Sequence, residues 1–269
     1  MPRQKPSPEP CFDEPVLGEP GAAGRLLDFS VALLLLLLCL PALLWAALAV
    51  TLTSPGPVFY RQERVGRGGQ IFQIWKFRTM FTAGRSSLRQ TGPLVTAQDD
   101  CRITPLGRPL RSWKLDELPQ LLNVLRGDMS LVGPRPQVPR FVDRFDPSLR
   151  RIVLSVRPGM TGPTALYFRH EEFLLNGQPN REQFYLTQIM PIKLQMDAEY
   201  VCRRSLAFDL QILADTGRLV LSRLAGRAGS SGIPTASALS ALQTAELMQQ
   251  TAELSQMADM ARAAVAQSA

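Results

Sequence analysis

TPLGRPLRSWKLDELPQLLNVLRGDMSLVGPRP, residues 104–136, is the stretch on which the reading of this chain turns. At its centre stand Asp116 and Glu117, followed by Leu118 and Pro119. Proline fits the first turn of a helix and not its interior. Leu118, Leu121, Leu122 and Leu125 recur at helical spacing. The acidic pair is therefore expected at or just inside a helix N-terminus. Unpaired N–H groups and the positive dipole end favour carboxylates there, and bound phosphate too.

Acids in a first helical turn are also ordinary capping chemistry. The surroundings point further. Arg108 and Arg111 precede the pair, and Arg126 and Arg135 follow it. Guanidinium forks match phosphate oxygens. An ionised carboxylate can hold a divalent metal or attack phosphorus. Together these suggest phosphoryl transfer, where positioning and charge stabilisation carry most of the catalysis.

The run LDELPQLLNVLRGDMSLVGPRP, residues 115–136, resembles the signature of bacterial sugar transferases, the monotopic phosphoglycosyl transferases that act on polyprenyl phosphate. GPVFYRQERVGRGGQIFQIWKFRTM (56–80) and VRPGMTG (156–162) match the same family, in the same order. The resemblance covers roughly Gly24 to Gly226. It implies an α+β fold: a re-entrant membrane helix-break-helix, then a mostly helical cytoplasmic catalytic domain with a short strand set.

On this reading residues 1–24 form a disordered tail, 25–53 the membrane-embedded helix, 54–226 the catalytic domain, and 227–269 a low-complexity tail or weak helix. The first 24 residues are rich in Pro, Gly and Glu and lack apolar periodicity. They do not read as a secretory signal, since the apolar run begins late with no clean cleavage site after it. Phe29 to Thr53 carries no charge and is long enough to span a bilayer. Pro41 interrupts it, and basic residues flank both ends: Arg25 before, Arg61, Arg64 and Arg67 after. The positive-inside rule then favours both ends on one face. The pattern alone leaves spanning and re-entrant helices equally open. The resemblance selects the re-entrant form, with Arg25 and Asp28 at the family's basic-then-acidic motif where the chain meets the membrane.

Beyond the helix, strands are expected at 58–60 and 70–77, joined by a glycine-rich basic hairpin turn. Lys76 matches a lysine at a site position in the family; otherwise it reads as a solvated strand residue. Residues 80–100 read as a polar loop. Gly127 and Asp128 make a turn, 130–132 a short strand, and 133–136 a rigid loop presenting Arg135. Residues 137–151 read as helical, 156–162 as a constrained turn, and 191–224 as one or two amphipathic helices. One departure from the family is clear. Many members continue after Gly162 with Trp-Ala-Gln-Val-Asn-Gly-Arg. This chain has Pro163-Thr-Ala-Leu-Tyr-Phe-Arg169. Arg169 keeps the arginine position, but sugar or nucleotide preference does not carry over.

A formal net charge of +7 suits nucleic acid, anionic lipid or phosphorylated substrates. No stretch interleaves basic and aromatic residues as a single-strand binder would, so nucleic acid is not an expected partner. Cys11, Cys39, Cys101 and Cys202 are scattered, and His170 is the single histidine. Neither a zinc site nor a disulfide framework is expected, and the thiols are expected reduced.

The resemblance implies transfer of a sugar-1-phosphate from a nucleotide sugar, with uridine as the family's usual base, to polyprenyl (undecaprenyl) phosphate at the cytoplasmic face of the bacterial inner membrane. A nucleoside monophosphate is released, as the first membrane step of exopolysaccharide, capsule or other surface glycan synthesis. It implies Asp116 as nucleophile through an aspartyl phosphosugar, Glu117 for metal or proton, and Mg2+ or another divalent cation on the pair. Lys76, Arg111, Arg135 and Arg169 are the implied phosphate and substrate binders. Two rivals are a glycosyl transferase releasing a nucleoside diphosphate, weakened by the lack of Asp-x-Asp, and a non-catalytic assembly factor. The sequence leaves the oligomeric state, the sugar and the polymer open.

Overall fold

A computed structural model describes residues 21–81, 96, 100–169, 171–175 and 178–225. The expectations for residues 1–20, for most of the 80–100 loop and for 226–269 lie outside these.

The chain opens with α1 (Ala22–Leu38) and α2 (Leu40–Thr53), bent by 61° at Cys39. Helix therefore begins before residue 25, within the stretch read as tail. Pro41 occupies the first turn of α2, where its missing N–H costs no intrahelical bond. It starts the second helix rather than interrupting the first. Among the described residues no single helix is long and apolar enough to cross a membrane, while the bent pair together is, by length and composition. Leu34, Leu37, Leu38, Leu44, Leu48 and Leu52 project outward, whereas Ala32, Ala46 and Val50 are buried against the rest of the molecule.

Two polar anchors, a half-buried arginine and a buried aspartate, fix α1. Arg25 donates to the carbonyls of Val124 (2.7 Å) and Leu125 (3.1 Å). The Asp28 carboxylate accepts from Ser130 Oγ (2.8 Å) and the Leu131 N–H (2.9 Å). Such partners offset the cost of burying a carboxylate. Arg204 reaches the same strand, donating to the Val132 carbonyl and to Asp209.

Strands β1 (Phe59–Val65) and β2 (Ile71–Phe77) form an antiparallel hairpin in which Tyr60 faces Lys76, Gln62 faces Ile74 and Arg64 faces Phe72. The basic segment read as a turn is thus largely strand. The reversal is confined to residues 66–70, where Gly68 (φ 65°) and Gly69 (φ 82°) take up left-handed backbone. Strands β3 (Ser130–Val132) and β4 (Gly159–Thr161) pair in parallel. The segment read as a constrained turn therefore contains a strand. A Cβ on Gly159 would lie 2.1 Å from the Gly133 nitrogen, so only glycine permits the pairing.

Helices α3 (Gly107–Ser112) and α4 (Leu121–Arg126) flank a 3-10 turn, Leu115–Gln120. The helix expected over 137–151 is two, α5 (Pro139–Val142) and α6 (Pro147–Val153). Asp146 caps α6 by accepting from the Ser148 and Leu149 N–H groups, which ends one helix and starts the next. Short helices α7 (Pro163–Tyr167), α8 (Glu171–Leu174) and α9 (Arg181–Phe184) follow, then a π-helical turn at Tyr185–Ile189. The amphipathic stretch forms α10 (Met190–Arg203) and α11 (Leu206–Leu224). Val124, Met129, Leu131, Val156, Ala198 and Val201 sit in the main core, which also takes in Ala32 of α1. Cys39 and Cys101 are free thiols, but Cys202 is disulfide-bonded, against the expectation of reduced thiols.

Candidate active site

The acidic pair lies in the 3-10 turn that runs into α4, close to the expected helix start. Lys114, just before it, has left-handed backbone (φ 57°), unusual for a side-chain-bearing residue. Its carbonyl accepts the Glu117 N–H at 3.2 Å, closing the turn. Adjacent residues project in different directions, so the two carboxylates meet different partners.

Glu117 is held by cations. Its Oε1 accepts from Lys76 Nζ at 2.7 Å and Arg135 Nη2 at 2.5 Å, and its Oε2 from Arg135 Nη1 at 3.3 Å. Burial works to raise the Glu117 pKa, but Arg135 and Lys76 outweigh it and hold this carboxyl well below its usual range. In return Glu117 raises the pKa of Arg135. Burial lowers that of Lys76.

Asp116 is the opposite case. It is 5% exposed, and its Oδ1 is buried with no hydrogen-bond partner among the described residues. Burial, and then the neighbouring Glu117 charge, push its pKa up to about 6. Lys76, Arg111 and Lys114 pull the other way. The pair is thus split into one acid whose pKa is held low and one whose pKa is raised to about 6.

Strand alternation brings in a residue that the sequence reading missed. Arg64 lies on the same hairpin face as Lys76. It donates to the Pro136 carbonyl (3.0 Å) and to Gln62 (2.7 Å), bracing the loop that carries Arg135. Burial and then Arg135 lower its pKa to about 10. Its signal was the strand period, hidden because residues 61–70 read as a turn.

The structure therefore gathers Lys76, Arg135 and the acidic pair, with Arg111 on α3 near enough to act on Asp116. It does not bring Arg169 to them: this side chain is exposed, lies in the turn after α7 and donates to the Leu166 carbonyl of that helix at 3.3 Å. Arg25, Asp28 and Pro41 serve the anchor helices. A shallow cleft borders Arg135, lined also by Gly66, Gln137, Tyr185 and Lys193.

Among the described residues no group of three or more His, Cys, Asp or Glu side chains gathers as a metal site. A phosphate-bound Mg2+ needs only one or two carboxylates. The unpartnered Oδ1 of Asp116 fits that demand. Glu117 fits it less well, because both its oxygens already accept from Arg135.

The profile of the bacterial sugar transferase family matches residues 21–223. A UDP-glucose:undecaprenyl-phosphate glucose-1-phosphate transferase of Caulobacter vibrioides is 41% identical over 196 residues, covering 71% of this chain and 67% of that protein. Its namesake in Escherichia coli K12 is 36% identical over 208 residues, 76% of this chain but 41% of that longer protein. The exopolysaccharide production protein ExoY of Sinorhizobium fredii is 35% identical over 207 residues, 73% of this chain and 84% of that protein. The chain thus spans two thirds or more of two of these relatives and less than half of the third. With the profile reaching from α1 into the last turn of α11, this chain belongs to the bacterial sugar transferase family.

Proposed function

We propose that this chain transfers a sugar-1-phosphate from a UDP-sugar to undecaprenyl phosphate and releases UMP, in the assembly of an exopolysaccharide or related surface glycan. The observation that carries this reading is the split pair: a buried Asp116 with a free Oδ1 beside a Glu117 fixed by Lys76 and Arg135. The names of the relatives support the donor and acceptor.

The residues suit a two-step route. The ionised Asp116 carboxylate attacks the phosphorus that bears the sugar. A bond forms from Asp116 to that phosphorus, the bond to the bridging oxygen breaks, and UMP leaves with the electron pair. The phosphate of the lipid acceptor then attacks the aspartyl phosphosugar, and Asp116 departs as carboxylate. Lys76 and Arg135 stabilise phosphate charge, and Arg64 holds the Arg135 loop in place. Glu117 keeps the two cations oriented and keeps Asp116 poised near neutrality. A divalent cation, held by Asp116 with help from Glu117, would supply further neutralisation of the diphosphate. The anchor α1–α2 is read as re-entrant, with both ends on the cytoplasmic face of the inner membrane.

The test is product release from detergent-solubilised protein with Mg2+, undecaprenyl phosphate and a panel of UDP-sugars. UMP formed with the lipid present and lost in Asp116→Asn is the expected result. UDP in its place identifies a glycosyl transferase. No nucleotide product with any donor overturns the reading.

A further inference from the structure

We infer that Arg61, Trp75 and Arg126 form a binding site for the phosphate headgroup of an anionic phospholipid, separate from the acidic pair. The Arg61 guanidinium carbon lies 4.0 Å from the centre of the Trp75 ring, and that of Arg126 lies 5.3 Å from it. Both arginines are exposed. Among the described residues neither makes an ion pair: Glu63, two residues along β1, and Asp128, two residues past Arg126, pair with neither. Two like charges gathered around one ring without a paired acid repel each other, and a bound anion offsets that cost. Guanidiniums are the side chains best shaped for phosphate oxygens.

The position of this group in the fold names the source of the phosphate. Phe77 packs with Ala46 and Val50 of α2. Phe59 stacks on Phe77 at 5.4 Å and meets Trp75 edge-on at 5.7 Å. An aromatic ladder thus runs from the apolar helix outward and ends at two cations. That is the order of polarity across a membrane surface, where tryptophan favours the headgroup level and basic residues meet anionic lipid. Arg61 follows closely on the exit of α2. Arg126 ends α4, whose last carbonyls Arg25 grips near the start of α1. The group therefore joins both ends of the bent anchor.

The same strand excludes the acceptor lipid. Lys76 reaches Glu117, so its neighbour Trp75 faces the opposite side of the hairpin. A phosphate at Trp75 is held away from Asp116, and the occupant is a bilayer lipid rather than a substrate.

This inference rests on the re-entrant membrane reading, and the test separates the two. The full chain carrying Trp45→Phe and Trp113→Phe keeps Trp75 as its only tryptophan. It is reconstituted in liposomes of phosphatidylcholine alone or mixed with phosphatidylglycerol. Retention on phosphatidylcholine liposomes through a high-salt wash reports insertion of α1–α2 and does not involve the two arginines. The expected result is retention in both, with a blue shift and weaker acrylamide quenching of Trp75 only with phosphatidylglycerol. That response is lost in Arg61→Gln/Arg126→Gln, weakened in each single variant, and accompanied by unchanged UMP release in detergent. A retained chain whose Trp75 responds equally to both lipids overturns the headgroup site alone. A response to undecaprenyl phosphate but not to phosphatidylglycerol makes it an acceptor site, and competition by sodium phosphate makes it a general anion site; either overturns the inference. A chain washed off phosphatidylcholine overturns the membrane reading and this site with it.

Discussion

Arg135 grips Glu117 through both terminal guanidinium nitrogens, at 2.5 and 3.3 Å, and so spends on a neighbouring acid the fork that suits a phosphate. Glu117 occupies the place of an anion in the resting site. Under the proposed function, a donor diphosphate would have to share or displace that contact, coupling substrate binding to the position of Glu117 and to the charge felt by Asp116.

Glu117→Gln removes the acid that Lys76 and Arg135 share. Breaking a fully buried pair costs roughly 3–5 kcal/mol. The Arg135 side chain is 32% exposed, so a loss of about 2 kcal/mol is expected here, read as a drop in melting temperature. The variant also lowers the Asp116 pKa by removing the adjacent charge. The acid limb of the pH–rate profile moves to lower pH, provided residual turnover is measurable.

Asp116 itself carries an inverse relation between stability and use. Its folded pKa, about 6, lies above the ordinary value of 3.8. Protonation therefore favours the folded state between those values, and stability falls as pH rises through the window. Asp116→Asn removes the cost of a buried charge. It is expected to be inactive and yet more stable at pH 7, by on the order of 2 kcal/mol. The gap should close below pH 4 (~3.8 is the ordinary carboxyl value). Melting curves of both proteins across pH 4–7 check this, and wild-type turnover should fall as pH drops through about 6.

Arg64→Ala frees the Pro136 carbonyl and unbraces the Arg135 loop. Arg64 touches neither carboxylate in the structure, so the expected signature is a KM for the UDP-sugar raised about tenfold, with a smaller change in kcat. Arg64→Lys keeps the charge but loses the fork, and should recover only part of the loss. Steady-state kinetics on the three proteins decide it.

Two glycines give a matched test of packing. Gly159→Ala drives a methyl to 2.1 Å from the Gly133 nitrogen and should cost about 3 kcal/mol or more, with loss of folded protein. Gly217→Ala, within α11, meets nothing within 4 Å and should stabilise by about 0.5–1 kcal/mol. Thermal melts of the two variants read the contrast.

Where local pattern and local structure coincide, the sequence was enough. The leucine spacing after Asp116 led to the helix start, and Pro41 led to a break in the anchor. It failed where a tertiary partner decided the matter. Residues 61–65 became strand because β2 pairs with them across a two-glycine reversal. Gly159–Thr161 became strand because Gly133 lies against it. Arg64 went unnoticed as a site residue for the first of these reasons. The clamp on Glu117 joins residues 76, 117 and 135, and no local pattern announces such a meeting.

The grip of Arg25 on the end of α4 has a mechanical consequence. That helix is six residues long, about 9 Å, and its other end runs directly from the turn bearing Asp116 and Glu117. Anchor and acids are thus opposite ends of one short lever. On the proposed re-entrant placement, a bilayer too thick or too thin for the bent pair would tilt α1, and the tilt would arrive at the carboxylates with little slack to absorb it. Acyl-chain length would then be a variable that sets the rate, and the host membrane a part of the catalyst.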